Sequence, residues 1–224
     1  MVRLLQGITV FRKSKIRIAA LICTILLFCH CYVVSEFIVG GEAAVIVDEK
    51  LAGLWRFPGK PGFMLIARHK TGDFSFHYFS GNFELDGEYF AGKLSKAGGK
   101  TFFNVRRHGS LAEKASDSGY IPLHYELDGD QLKIALLETK FFNEAIGAKK
   151  LMGHAPVQTT TYSSAPTRIT SRGEELAKFI LDNWKNPVML EKAQTLERIK
   201  VDLPAAIEET LPKVQPPAIP QNQR

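Results

Sequence analysis

The sequence predicts a mainly β (α+β) fold, an antiparallel meander forming a curved sheet or partly closed barrel. Two helices pack on it, and an apolar helix precedes it. Three observations carry that prediction. Between Leu51 and Leu137, short runs of aromatic and β-branched residues are punctuated by Thr71-Gly72, Asp86-Gly87, Gly98-Gly99 and Asp128-Gly129, the pattern of antiparallel hairpins. Near Thr139 the apolar period lengthens from two residues to three or four. Ahead of the hairpins, Ile18 to Val34 is an apolar run with no formal charge when His30 is neutral.

The N-terminus comes first. Arg3, Arg12, Lys13, Lys15 and Arg17 precede the run with no acid among them. The run falls between the apolar core of a secretory signal, roughly 7–15 residues, and a membrane-spanning helix, roughly 17–25. Either way, residues 1–17 stay in the cytoplasm and the rest crosses. Residues 18–39 are therefore expected to be a signal peptide or membrane anchor. Cleavage after Ser35, with Val33 and Ser35 as the two specificity positions, competes with retention as an anchor. The three cysteines, Cys23, Cys29 and Cys31, all lie here. They follow Ile22, Phe28 and His30, whereas a lipid-modified cysteine follows a small residue.

Residues 40–50 read as a short linker that can include an edge strand, and 51–185 as a β-rich extracytoplasmic domain. Pro58 to Gly62 is a turn between strands at Leu51–Phe57 and Phe63–Arg68. In the next strand Phe74, Phe76 and Tyr78 share one face, with Ser75 and His77 on the other. Strands follow at Tyr89–Ser95 and Thr101–Arg106, then a polar loop to Gly119. Ile121, Leu123, Tyr125 and Leu127 face inward, with Pro122, His124 and Glu126 outward. The adjacent pairs Phe102-Phe103 and Tyr89-Phe90 put an aromatic on both faces of their strands, so the sheet is expected to have two covered faces or an apolar surface left for a ligand or partner. Thr139 opens a helix to about Lys149 with Phe142, Ala145 and Ile146 on one side. Val157–Tyr162 and Thr167–Thr170 read as extended. Ser171 and Glu174 have capping-box spacing and open the best helix, with Leu176, Phe179, Ile180 and Trp184 as its stripe. Residues 186–224 read as a helix at Lys192–Val201 and a disordered proline-rich tail.

Charge narrows the function classes. The formal net charge is +6, and the leader's five cations account for most of it, leaving about +1 on the remaining chain. A nucleic-acid binder carries its excess on the folded part, so no nucleic acid is expected. No Gly-x-Ser-x-Gly elbow occurs, and Gly109-Ser110 lacks the flanking pattern. No His-x-His or His-x-x-x-His pair occurs among His69, His77, His108, His124 and His154, so no metal is expected. Glu84, Asp86 and Glu88 cluster around a turn. Gly98-Gly99-Lys100-Thr101 lacks the upstream glycine of a phosphate loop and joins two strands. No catalytic residue and no cofactor follows from the pattern. The one ligand-binding candidate is Trp55.

Gly53-Leu54-Trp55 at the head of a meander resembles the Gly-x-Trp of lipocalins and other calycin barrels, in which the tryptophan plugs the closed end; no Thr-Asp-Tyr partner motif follows downstream. A broader pattern covers about residues 51–184. It comprises Leu51-Ala-Gly53-Leu-Trp55, Phe90-Ala-Gly-Lys-Leu94 through Gly98-Gly99-Lys-Thr-Phe102, Pro122-Leu-His124-Tyr125 and Ser171-Arg-Gly-Glu174-Glu-Leu176. It resembles small uncharacterised bacterial envelope proteins, often lipoproteins, and departs from them at the lipid-modification cysteine. The resemblance implies an exported β-rich domain of the bacterial cell envelope, periplasmic or anchored in the inner membrane, and brings no activity with it. The expected function is a non-enzymatic envelope protein that binds a small apolar ligand or a protein partner. The alternatives are a hydrolase with dispersed site residues, and a scaffold that recruits a partner through its C-terminal tail. A cavity lined by Trp55 would favour binding; a pocket holding His77 or His124 against a hydroxyl or acid would favour catalysis.

Overall fold

The structure, a computed structural model, describes residues 32–79, 85–108, 119–156 and 166–200. The apolar run before Tyr32, the extended segment expected at 157–162 and the proline-rich tail lie outside the described residues. Among those described, no helix is long and apolar enough to cross a membrane.

The elements run in order as β1 (Val33–Ser35), β2 (Val45–Ile46), β3 (Gly53–Arg56), β4 (Phe63–Arg68), β5 (Phe74–Phe79), β6 (Leu85–Ala97), β7 (Lys100–His108), β8 (Ile121–Asp128), β9 (Gln131–Leu136), α1 (Thr139–Gly147), β10 (Gly153–His154), β11 (Thr167–Ile169), α2 (Gly173–Asp182) and β12 (Gln194–Ile199). Strands β3 to β9 form an antiparallel meander. The chain then leaves the barrel for α1, β10, β11 and α2, and returns as β12 between β9 and β3. Pairing of β6 with β7 completes the ring. The result is a closed eight-stranded antiparallel barrel, the build of lipocalin-like folds. Short β2 extends it by pairing with the far half of β6. A separate three-stranded sheet has the order β1-β11-β10.

Two cores flank the barrel wall. The inner one holds Trp55, Ile66, Phe74, Phe76, Leu94, Phe103, Tyr125, Leu132 and Leu196. The outer one lies between the wall, the helices and the small sheet, and holds Phe102, Phe142, Ile169, Leu176, Ile180 and Met189. Strand alternation at β7 sends Phe102 outward and Phe103 inward, and both are fully buried. The expectation of two covered faces holds at this strand. The inward set Ile121, Leu123, Tyr125 and Leu127 also lies against the inner core.

Several expectations meet a different local arrangement. Lys192–Val201 is no helix: it contains β12, which closes the barrel. Its inward positions are Leu196 and Arg198, which face Leu132 and Trp55 across the strand pairs, so a charged inward residue hid the alternation. The barrel thus continues past the boundary expected at residue 185. Asp86-Gly87 does not reverse the chain. It lies inside β6, where the register against β5 slips between His77 and Phe79, as a glycine at an irregular strand position allows. The expected linker 40–50 holds turns of 3-10 helix at Glu42–Ala44 and Glu49–Leu51, and the edge strand read there is β2. Within the stretch read as signal peptide or anchor, Val33–Ser35 form β1, which pairs in parallel with β11, and Val39 is fully buried. Last, both helix caps shift by one residue. Glu138, not Thr139, accepts from the Lys140 N–H, and the Arg172 N–H donates to Glu175, at 3.1 Å. Ser171 instead accepts from the Met152 N–H at 2.8 Å.

Candidate functional site

Trp55 sits on β3 with its ring fully buried in the inner core. Its indole N–H donates to the Leu51 carbonyl at 3.0 Å, which fixes the ring against the 3-10 turn Glu49–Leu51. Arg198 lies directly opposite on β12 and lays its guanidinium over the ring, 4.2 Å from the centroid. The same guanidinium donates to the Ala52 carbonyl at 2.9 Å and to the Lys50 carbonyl, and its Nε pairs with Asp130 at 3.5 Å. Gly53 makes this arrangement possible. Its φ is +149°, and a Cβ there would come within 2.5 Å of an Arg198 nitrogen. Trp55 is therefore held by a lock that joins the first and last strands of the barrel.

Within the inner core Phe76 meets Phe103 edge-on at 4.9 Å, and Phe103 stacks on Tyr125 at 4.3 Å. The Tyr125 hydroxyl is buried among them with no hydrogen-bond partner. Burial pushes its pKa up, with Asp48 adding to the effect. The Thr101 hydroxyl donates to the Tyr125 backbone carbonyl at 2.5 Å rather than to the phenol.

Two histidines do meet the partners a catalytic reading asks for. His77 Nε2 shares a hydrogen bond of 3.1 Å with Ser75 Oγ, and its ring stacks on Tyr89 at 5.1 Å. Burial, then the charge of His69, holds the His77 pKa below its ordinary value. Yet Ser75 is only 1% exposed and His77 5%, so a substrate carbonyl has no path to the hydroxyl. Among the described residues no carboxylate hydrogen-bonds His77. His124 donates from Nδ1 to the Thr101 carbonyl at 3.0 Å, and its Nε2 lies 3.4 Å from Glu126. Its ring is wedged between Phe102 and Trp184 in the outer core. Both histidines lie on the outward face, as their strand parity requires, but neither is solvated.

Surface depressions among the described residues include two beside the helices. One of about 430 Å³ lies between α1 and residues 187–192, over Phe141, Val188 and Leu190, with Glu138, Glu144 and Glu191 on its rim. Burial, then Glu138, raises the Glu191 pKa. The other, about 520 Å³, lies between Gly40, Ala97 and α2. Neither touches Trp55, His77 or His124. No three His, Cys, Asp or Glu converge as metal ligands among the described residues.

Sequence reasoning found Trp55 but missed Arg198, the residue that defines its role. The one available signal was the alternation of Leu196 and Arg198 against Thr195, Glu197 and Ile199. It also missed Asn104, fully buried on β7, whose Oδ1 accepts from the Val39 N–H and whose amide donates to Ser95 Oγ, both at 2.9 Å. No family model, curated protein or solved structure matches this chain.

Proposed function

We propose that the protein is a non-enzymatic, lipocalin-like protein of the bacterial cell envelope, and that it acts as a rigid module engaging a protein partner through its outer surface. Export rests on the basic-apolar leader. The position of Gly53-Leu54-Trp55 on the first barrel strand supports the lipocalin-like kinship. The observation that supports this mode of action is the inner core, where Trp55 and the Phe76–Phe103–Tyr125 cluster pack against one another where a barrel's apolar ligand would sit.

The hydrolase reading has one observation in its favour, the Ser75–His77 hydrogen bond. Burial of that hydroxyl weighs against it, because a nucleophile must reach its substrate. The test uses the full chain. An alkaline phosphatase fused after Arg224 is expected to be active, as it is only outside the cytoplasm. Titration of the purified chain with a fluorescent polyene fatty acid is expected to show no saturable uptake; one-to-one binding would sink this reading of the inner core. A fluorophosphonate probe is expected to leave the protein unlabelled, and modification of Ser75 would establish the hydrolase instead.

A further inference from the structure

We propose that the apolar groove between α1 and residues 187–192 docks a partner protein, through a segment that sets a lysine or arginine beside an apolar residue. This rests on the reading of the protein as a partner-binding module, and gives that surface a place and a chemistry. The groove is built on a fixed frame. Leu137 and Leu190 form an antiparallel bridge, in which the Glu138 N–H donates to the Met189 carbonyl and the Glu191 N–H to the Leu136 carbonyl, both at 2.9 Å. Leu137 and Met189 are buried beneath it in the outer core. Phe141, on the floor, holds its ring 5.5 Å from Phe142 and 5.8 Å from Phe179. The frame exists before a partner arrives, so docking has little backbone to order.

The floor suits an apolar side chain. Phe141 and Leu190 are only partly buried, and Val188 stands beside them 59% exposed. The rim suits a cation. Glu138 and Glu191 come from the two segments that the bridge joins, and Glu144 lies further along α1. Among the described residues none of the three forms an ion pair, although Lys140 and Lys192 also line the groove. Glu138 is held in place, its carboxylate accepting from the Lys140 N–H at 3.3 Å. Glu191 is half-buried, and that burial, with the Glu138 charge, lifts its carboxyl above the ordinary value. A cation entering between the two carboxylates relieves their repulsion, whereas an acidic segment adds to it. An arginine fork serves two carboxylates at once, and its apolar neighbour covers Val188 and Phe141.

The test probes an array of random short peptides with the purified full chain, then measures the best binders in solution by fluorescence anisotropy. The expected binders set Lys or Arg next to Leu, Ile or Phe. The double change Glu138→Gln with Glu191→Gln keeps an acceptor for the Lys140 N–H and is expected to weaken them about tenfold, the scale of one charge-assisted hydrogen bond. Val188→Ser is expected to weaken them several-fold, and neither variant should move the urea midpoint. Added salt should weaken binding to the unaltered chain more than to the double variant. Binders of this chemistry that both variants hold unchanged, or binders of another chemistry, overturn the groove assignment and leave the partner-module reading standing. The absence of any binder overturns both. A dimer in light scattering that Val188→Ser breaks gives the groove to a second copy of this chain and overturns the proposal as well.

Discussion

Replacing Arg198 by Met isolates the lock across the barrel's closing seam. Methionine keeps an apolar stem over Trp55 and removes the charge and the donors. The cation–π contact over a fully buried indole contributes roughly 1–2 kcal/mol. The two guanidinium bonds to the Lys50 and Ala52 carbonyls add roughly 1 kcal/mol each, net of the water they replace. The Asp130 pair is discounted, since that carboxylate is 51% exposed and such pairs contribute about 0–1 kcal/mol. The expected loss is about 3–4 kcal/mol, read as a fall in urea midpoint at unchanged slope. Arg198→Lys restores a point charge without the fork and is expected to recover about half. Gly53→Ala pushes a methyl against the guanidinium, so it should cost far less in the Arg198→Met background than alone. A loss below about 1 kcal/mol for Arg198→Met, or additive effects of the two changes, would refute the lock.

Three further outcomes follow from the same geometry. Asn104→Leu strands the Val39 N–H and the Ser95 hydroxyl and should cost roughly 2–5 kcal/mol in urea melts, with the segment before β2 becoming sensitive to limited proteolysis. His77 has a depressed pKa when folded, so below its ordinary 6.5 the unfolded chain takes up the proton first; stability is full above that pH and falls as the pH drops below it, and His77→Gln should lose less between pH 7.5 and 5.5. Trp55 reports the inner core and Trp184 the outer, so melts of Trp184→Phe and Trp55→Phe, aligned for their stability difference, should each be single and cooperative by fluorescence and circular dichroism alike; a biphasic melt in either would show that the cores unfold separately.

Much of the barrel was legible because its strands obey local rules. Glycine turns and two-residue alternation are properties of neighbouring residues, and they identified the inward faces of β5 and β8 and the double burial at Phe102-Phe103. What escaped notice depends on partners far along the chain. β12 pairs with β3, whose Trp55 lies 143 residues before Arg198. Its own sequence, Gln194 to Ile199, has one inward apolar residue, so nothing local marks it as a strand. β1 is hidden for the opposite reason: Val33 and Val34 continue the apolar run that begins at Ile18, so nothing in the composition marks where the strand starts. Of the candidate site, Trp55 was legible through its glycine, but its partner Arg198 was not, because that residue resembles any solvated arginine on a helix.

The weak pattern of β12 and the strength of its lock are two sides of one requirement. A barrel closed by its last strand must bring together segments more than a hundred residues apart, and that closure entropy is large before any contact forms. A strand with one inward leucine buries too little apolar surface to offset it. Arg198 compensates by bonding the carbonyls of Lys50, in the Glu49–Leu51 turn, and of Ala52, so the last strand is fixed by more than its apolar burial. The outer core makes the same closure from the other terminus, where β1 pairs with β11 across 134 residues. β7 stands between them, with Phe102 in one core, Phe103 in the other and Asn104 holding Val39. β1 and β12, the first and last described strands, are thus each paired with distant strands, and the wall between them is shared by both cores, so loss of either pairing is expected to loosen the other.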